Sequence, residues 1–193
     1  MAAINTSTNT SLPIVPLLQP PSPDIITQLV AFHQSSILHD RMTTWWTKRL
    51  STLPSPETHV FLALAPPQTS PFLVSGAAAS EGKVVGIVIL STPESDTQHF
   101  VGDVQMLMID PDFRGKGLAK RLMQAVEEQA RSLGRTMLTL GTTVGCEADA
   151  YLYPKLGWEI YGRLPGYGER PPAEDGTGKG EKVDGVFYFK VLR

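Results

Sequence analysis

The 193-residue chain has little of the chemistry that would tie it to a metal or a redox centre. Cys146 is its only cysteine, so the chain can form neither an intrachain disulfide nor a cysteine-based metal site. The four histidines show no metal-ligand spacing and lie at positions 33, 39, 59 and 99. We therefore expect a protein that works without a metal.

Long apolar runs and a large excess of charge are also absent. No apolar segment approaches the roughly 20 residues that span a bilayer, and residues 1–11 lack the basic and apolar regions of a signal peptide. The formal net charge of −2 argues against nucleic acid or an anionic membrane as a partner. These observations predict a cytoplasmic protein, monomer or homodimer, with a disordered lead at 1–11 and a single domain over 12–193.

What the chain does contain is a glycine-bearing turn between an apolar strand and an amphipathic helix. Residues 103–109 are largely apolar, which predicts a buried strand, and residues 118–133 place their apolar side chains on one helical face. The first amides of a helix lack intrahelical partners and attract anions. Gly115 and Gly117 have no Cβ atom that would block a ligand. The turn at 110–119 therefore predicts a phosphate-binding site.

The run Arg114-Gly-Lys-Gly-Leu-Ala119 resembles a family signature. It matches the Arg/Gln-x-x-Gly-x-Gly/Ala pattern with which the GCN5-related N-acetyltransferases, the GNAT family, hold the pyrophosphate of acetyl-CoA. The sequence has no P-loop and no dinucleotide-binding glycine pattern that would compete with this interpretation. The resemblance implies acetyl-CoA as co-substrate, held by Leu107, Met108, Ile109, Arg114, Gly115, Lys116, Gly117, Leu118, Ala119 and Lys120.

A second stretch, residues 150–158, resembles the Phe-Tyr-x-x-Leu-Gly-Phe element of the same family. In that element a tyrosine hydroxyl lies beside the coenzyme sulfur and protonates the departing thiolate, so the resemblance implies Tyr153 as general acid. Pro154 interrupts the expected helix, and the segment from Gly145 is one residue longer than usual, which leaves Tyr151 as the alternative. The competing interpretation of either tyrosine is an ordinary buried aromatic residue.

Acetyl transfer also requires a neutral amine. An alkyl amine with a pKa near 10.4 is almost entirely protonated at pH 7, so a base or a desolvating pocket is expected. Asp103 precedes Arg114 by the spacing of the catalytic glutamate in histone-acetylating family members, and the resemblance implies Asp103 as general base. A hydrogen-bonded or solvated carboxylate at a strand start is the competing interpretation.

The order of the predicted elements is that of the GNAT fold. The sequence predicts strands at 14–18, 59–65, 83–90, 103–109, 136–140, 158–164 and 183–192, and helices at 25–38, 43–53, 118–133 and 146–156. The resemblance implies an α/β (α+β) fold with a mixed, mostly antiparallel central sheet of about six or seven strands, flanked by about four helices. It also implies a V-shaped splay between the strands at 103–109 and 136–140. The coenzyme-binding motifs occupy 103–158, and long loops are expected at 66–80 and 165–182.

The acceptor is the least determined part of the prediction. Residues 162–167 and 187–190 resemble the tabtoxin-resistance acetyltransferases, which detoxify an amine-bearing β-lactam. The acceptor pocket is expected from 32–46 and from the late loop. The leading hypothesis is an acetyl-CoA-dependent N-acetyltransferase that acts on a primary amine of a small molecule such as a toxin, antibiotic or metabolite. A protein lysine or N-terminal acetyltransferase is one alternative, and a non-catalytic acyl-CoA-binding module is another.

Overall fold

The computed structural model describes residues 12–34, 42–66, 82–146, 148–170 and 180–193. The predicted lead at 1–11, the end of the predicted first helix at 35–38, most of the predicted loop at 66–80, and residues 171–179 of the predicted late loop lie outside these ranges. Fold and site are therefore described from the remaining residues, which include both motifs of the expected coenzyme site.

A seven-stranded sheet with helices on both faces organises the chain. The strands pair in the order β1-β2-β3-β4-β5-β7-β6, and every neighbouring pair is antiparallel except β4 with β5. This arrangement confirms the predicted mixed, mostly antiparallel sheet with four helices. The elements are β1 Ile14–Leu17, α1 Pro23–Gln34, α2 Met42–Leu50, β2 Thr58–Ala65, β3 Lys83–Ser91, β4 Val101–Ile109, α3 Leu118–Ser132, β5 Met137–Thr143, α4 Tyr153–Lys155, β6 Glu159–Arg170 and β7 Glu181–Val191.

Each face of the sheet has its own hydrophobic core. Helices α1 and α2 cover one face, where Leu29, Trp46 and Leu50 are fully buried against strands β2 and β3. Helix α3 covers the other face with Leu122 and Met123, which are also fully buried. A fully buried side chain of this size contributes about 1.5–3 kcal/mol, so the apolar stripe read from the sequence of α3 fixes the position of that helix.

Strands β4 and β5 separate soon after they begin to pair. Their parallel pairing covers only Val101 with Met137, Gly102 with Leu138, and Asp103 with Thr139. Beyond Asp103 and Thr139 the two strands continue without pairing to each other, which is the predicted V-shaped splay. The splay leaves a slot through the sheet between β4 and β5. The slot lies near the end of β4 that leads into the turn at 110–117.

A β-bulge at Met106 decides which side chains of β4 point to which face. Met106 has a φ of 55°, and the register with β3 shifts between Ile87 and Ile89. Before the bulge, Gln105 points to α2, where it contacts Arg49. After the bulge, Leu107 packs on the α3 face, although strict alternation from Gln105 would place it on the α2 face.

The final hairpin is longer than the sequence predicted. Strands β6 and β7 pair on both sides of an irregularity, with Leu164 opposite Gly185 before it and Gly168 opposite Val183 after it. The prediction of a loop from 165 to 182 is therefore wrong at both ends. Pro165, which ended the predicted strand, falls inside the irregularity, where a missing amide removes no ladder hydrogen bond.

The segment predicted as a single helix over 146–156 has two parts. Ala148–Leu152 forms a π-helical turn, which continues directly into the short helix α4. Pro154 lies in the first turn of α4, a position where proline needs no hydrogen bond from its nitrogen. The wider turn before the proline changes the direction in which the two candidate tyrosines project.

Candidate active site

The turn between β4 and α3 is held by a buried carboxylate. Asp110 accepts a hydrogen bond from the amide of Asp112 at 3.0 Å and one from Lys83 Nζ at 2.8 Å. Burial alone would raise the pKa of Asp110, but the hydrogen bonds from Lys83 and Asp112 and the charges of Lys83 and Arg114 outweigh it and hold this pKa below its ordinary value. The ionised Asp110 thus fixes the 3-10 turn Pro111–Phe113 that leads into the glycines.

The residues that follow, 114–120, form an open turn, here called the phosphate cradle after the ligand that the sequence predicts for it. Gly115 and Gly117 have φ values of 71° and 76°, a left-handed conformation that favours glycine, and a Cβ at either position would meet nothing within 4 Å. Gly117 is the N-cap of α3 and offers no side-chain cap, so the amides of the first helical turn face the open space. The first intrahelical bond runs from the amide of Arg121 to the carbonyl of Gly117 at 3.2 Å.

A groove of about 450 Å³ begins at the cradle and runs between β4, α3 and the π-helical turn. Eight of the ten residues predicted to hold the coenzyme line this groove: Leu107, Ile109, Arg114, Gly115, Gly117, Leu118, Ala119 and Lys120. The sequence reasoning missed four other lining residues: Phe113, which directly precedes the motif, and Ala148, Leu152 and Lys155, which are near it only in space.

Two predicted coenzyme residues direct their side chains elsewhere. Met108 packs against the core under α1 and α2, because the bulge at Met106 turns it to that face. Lys116 folds back, donates a hydrogen bond from Nζ to the carbonyl of Asp112 at 2.8 Å, and lies over the Phe113 ring. The side chains of Lys116 and Met108 are therefore committed to the turn and to the core, and only their main chains remain available to the groove.

Positive charge dominates the groove. Arg114, Lys120 and Lys155 are all part of its lining, and no carboxylate is. Three cations together with the uncapped amides at the start of α3 suit a pyrophosphate without a metal ion. Among the residues that the structure describes, no group of three or more His, Cys, Asp or Glu side chains is arranged to hold a metal.

The two candidate tyrosines occupy different environments. Tyr151 is 66% exposed and lines the groove, whereas Tyr153 is 5% exposed and packs in the core with Trp158 and Tyr188 at ring-centroid distances of 6.1 and 5.2 Å. Leu152, between them, also lines the groove. The π-helical turn thus brings Tyr151 to the wall of the groove and Tyr153 behind it.

The surroundings of Tyr153 keep its hydroxyl protonated. Burial raises the pKa of Tyr153 most, and the neighbouring Cys146, Tyr188 and Asp149 raise it further. Tyr188 donates a hydrogen bond to Asp149, and burial and this contact raise the pKa of Tyr188 to about 12. Cys146 lies in the same cluster, with its sulfur 3.3 Å from Thr142 Oγ1.

Asp103 belongs to a chain of polar side chains that crosses three elements, here called the acceptor-side network. Its Oδ1 accepts a hydrogen bond from Thr139 Oγ1 at 3.0 Å, and its Oδ2 accepts one from Gln105 Nε2 at 2.7 Å. Gln105 Oε1 in turn accepts a hydrogen bond from Arg49 Nη2 on α2. The network lies where β4 and β5 begin to separate, and sequence reasoning had identified only Asp103 in it.

Aromatic side chains of β6 and β7 lie next to the acceptor-side network, on the same face of the sheet. Phe189 is paired with Thr139 across β5 and β7, and Tyr161 lies 6.1 Å from Phe187 and 6.4 Å from Phe189 between ring centroids. Tyr161 and Tyr167 are more than half exposed. This apolar surface lies beside the slot, on the face that α2 covers only in part.

Comparison with known proteins identifies the family. A model of the acetyltransferase (GNAT) family matches residues 37–158, more than half of the chain. The L-methionine sulfoximine/L-methionine sulfone acetyltransferase of Pseudomonas aeruginosa is 34% identical over 104 residues, which are 53% of this chain and 59% of that protein. The N-acetylaspartate synthetase of Xenopus tropicalis is 39% identical over 85 residues, which are 44% of this chain and 30% of that protein.

A solved structure agrees with the family match. The yncA protein of Salmonella typhimurium, solved with its cofactor acetyl-CoA, superposes with a TM-score of 0.61 at 15% identity, and the match covers 94% of this chain and 95% of that one. The chain therefore belongs to the GNAT acetyltransferase family. The matches span about 30% to 60% of the length of the first curated relatives. Within the described residues, no helix is both long and apolar enough to cross a membrane.

Proposed function

We propose that the protein is an acetyl-CoA-dependent N-acetyltransferase that acts on a primary amine of a small molecule. One observation carries the proposal: the positively charged groove at the start of α3 and the acceptor-side network on the opposite face of the sheet are both adjacent to the slot between β4 and β5. A donor held on one face and an amine held on the other would meet within the slot.

The groove fits acetyl-CoA. The amides at the start of α3, with Arg114, Lys120 and Lys155, would hold the pyrophosphate, and the space beside Gly115 and Gly117 leaves room for it. The apolar wall that includes Leu107 and Leu152 suits the pantetheine arm, and the free main-chain groups of β4 beyond Asp103 are available to pair with its amides. The bound coenzyme supplies an acetyl group activated as a thioester.

The chain's own residues would manage two protons. An ammonium substrate loses one proton before it attacks. As the nitrogen–carbon bond then forms and the carbon–sulfur bond breaks, the nitrogen loses a second proton and the thiolate gains one. Asp103 is the proposed acceptor of the first proton, because it lies at the mouth of the slot on the α2 face. Its two hydrogen bonds hold the carboxylate in place and leave further lone pairs on both oxygens.

Tyr153 is the proposed donor to the thiolate, with Tyr151 as the alternative. The raised pKa keeps Tyr153 protonated at every physiological pH, so the hydroxyl is always available as a donor. A thiol has a pKa of about 8.5, well below that of Tyr153, so the tyrosine would stabilise the thiolate mainly by a hydrogen bond. Tyr151 has the better access, because it lines the groove directly.

The small-molecule acceptor is supported by two likenesses. The relative from Pseudomonas aeruginosa is named for L-methionine sulfoximine and L-methionine sulfone, both small amines. The C-terminal residues 162–167 and 187–190 resemble the tabtoxin-resistance acetyltransferases, and here they build the aromatic surface beside the slot. A detoxifying reaction on a small amine is the finer form of the proposal.

The test has two stages. Calorimetry with acetyl-CoA should show binding without added metal, and desulfo-CoA and free adenosine diphosphate should identify the part of the molecule that is held. Thiol release should then be measured against a library of small amines and, in parallel, against lysine peptides and peptide N-termini. Turnover confined to peptides would replace the small-molecule acceptor with a protein, and binding without turnover on any amine would indicate a non-catalytic acyl-CoA-binding module.

A further inference from the structure

Arg49 is a half-buried cation that the proposed reaction does not use. It lies in the last turn of α2 with its guanidinium 5.2 Å from the centre of the Trp45 ring, and its Nη2 donates a hydrogen bond to Gln105. Its Nε is inaccessible to solvent and has no hydrogen-bond partner within the described part of the chain. A guanidinium offers five donors, so most of the hydrogen-bonding capacity of Arg49 is unspent within the described residues.

A purely structural role does not account for the charge. A neutral donor on α2 could hold that helix to Gln105 on β4 equally well, without the cost of removing a cation from water. That cost is visible here, because burial lowers the pKa of Arg49 while the negative charge of Asp103 acts in the opposite direction. A half-buried cation whose remaining donors are unpaired among the described residues is suited to an anion that arrives from outside.

The position of Arg49 defines what kind of anion it would meet. Gln105 alone separates the guanidinium of Arg49 from the carboxylate of Asp103, because its amide oxygen accepts from Arg49 and its amide nitrogen donates to Asp103 at 2.7 Å. The acceptor side of the slot therefore presents one positive and one negative charge, one side chain apart. A zwitterion with an ammonium and a carboxylate on neighbouring carbons matches both charges.

We propose that Arg49 binds the carboxylate of the acceptor, and that the acceptor is an amino acid or a close analogue with a free carboxylate beside its amine. The ammonium would face Asp103, where its proton is removed, and the carboxylate would face the planar fork of Arg49. This inference rests on the proposed acetyltransferase function and narrows its substrate class. A lysine side chain or a peptide N-terminus brings no adjacent carboxylate and would leave Arg49 unsatisfied.

Matched acceptors test the proposal directly. For several side chains, thiol release is measured with the α-amino acid, its carboxamide and the corresponding decarboxylated amine, at saturating acetyl-CoA. The parent protein should prefer the amino acid about 10- to 100-fold in kcat/KM, mainly through KM. Arg49→Gln should abolish this preference, because kcat/KM for the amino acid should fall while kcat/KM for the carboxamide changes little. Arg49→Lys should retain part of it, because an ammonium keeps the charge but not the fork.

Lys48→Gln is the matched control, because Lys48 is an exposed cation in the same last turn of α2 and its loss leaves the contact between Arg49 and Gln105 in place. It should keep the preference for the carboxylate. Equal use of amino acid and carboxamide by the parent protein would overturn the proposal while leaving the acetyltransferase function intact. The proposal would also be overturned if Arg49→Gln lowered kcat/KM equally for both acceptors and lowered the melting temperature, since Arg49 would then only hold α2 to β4. Failure to bind acetyl-CoA or to release thiol with any acceptor would instead reject the underlying function.

Discussion

Replacing Gly117 by valine should separate the strain of a left-handed residue from the loss of the phosphate cradle. At a φ of 76° a β-branched residue costs about 1–2 kcal/mol in conformational strain, whatever surrounds it. A Cβ at this position meets nothing within 4 Å beyond its two chain neighbours, so it adds no clash with the rest of the protein. It enters the space in front of the first amides of α3 instead.

The expected loss of affinity follows from those amides. Each hydrogen bond to a charged group is worth about 1.5–3 kcal/mol, so the loss of two between the helix and a phosphate costs about 3–6 kcal/mol. Calorimetry should therefore show acetyl-CoA binding about 10² to 10⁴ times more weakly in Gly117→Val than in the parent protein.

Gly134→Val is the matched control at the other end of the same helix. Gly134 has a φ of 70° and equally open surroundings, but it lies about 20 Å from the cradle along the axis of α3. Both variants should lower the melting temperature by similar amounts, of the order of 2–8 °C, and only Gly117→Val should lose the coenzyme. Parent-like affinity in Gly117→Val, or an equal loss in Gly134→Val, would refute the assignment of the cradle.

Two further predictions concern the tyrosines and the carboxylate under the turn. Tyr153→Phe should reduce kcat about 10²-fold with little change in acetyl-CoA affinity, since the ring packing survives, and a loss confined to Tyr151→Phe would transfer the donor role to that residue. Asp110 has a lowered pKa in the folded protein, so its stabilisation is present above its unfolded pKa of about 3.9 and disappears as pH falls through the folded value. Asp110→Asn should therefore lower the melting temperature at pH 7, with the gap to the parent protein closing as the pH falls below the unfolded pKa of about 3.9 and on through the lower folded value. The exposed Asp112→Asn is its control, and an equal gap at both pH values would contradict the argument.

The parts of the fold that were predictable are those in which local pattern and burial agree. The apolar stripe of α3 and the apolar runs of β2, β3 and β4 each have one stable placement, against or within the sheet. The glycine turn before α3 was predictable for the same reason, because it is a local feature of the sequence. The end of β6 was not, since pairing with β7 continued past a proline that locally indicates a strand end.

The parts of the site that escaped prediction depend on contacts between distant segments. Arg49 meets Gln105 from a helix 56 positions earlier in the chain, and nothing in the sequence of α2 marks it as different from its basic neighbour Lys48. Which of Tyr151 and Tyr153 lines the groove depends on a π-helical turn. Such a turn adds one residue to the helix and has no distinct composition that would reveal it in the sequence. The sequence had indicated an extra residue there, but not the direction in which each ring would then point.

The bulge at Met106 explains how one strand can contribute to both halves of a two-substrate site. In a regular strand that presents Asp103 and Gln105 to the α2 face, Leu107 and Ile109 would point there as well, and the coenzyme groove would lose its apolar wall. The single residue with φ of 55° reverses the alternation, so that Asp103 and Gln105 face the proposed acceptor while Leu107 and Ile109 face the proposed coenzyme. Because such a conformation is strained for a non-glycine residue, it persists only where the surrounding core enforces it, and here both cores pack against the strand on either side of it.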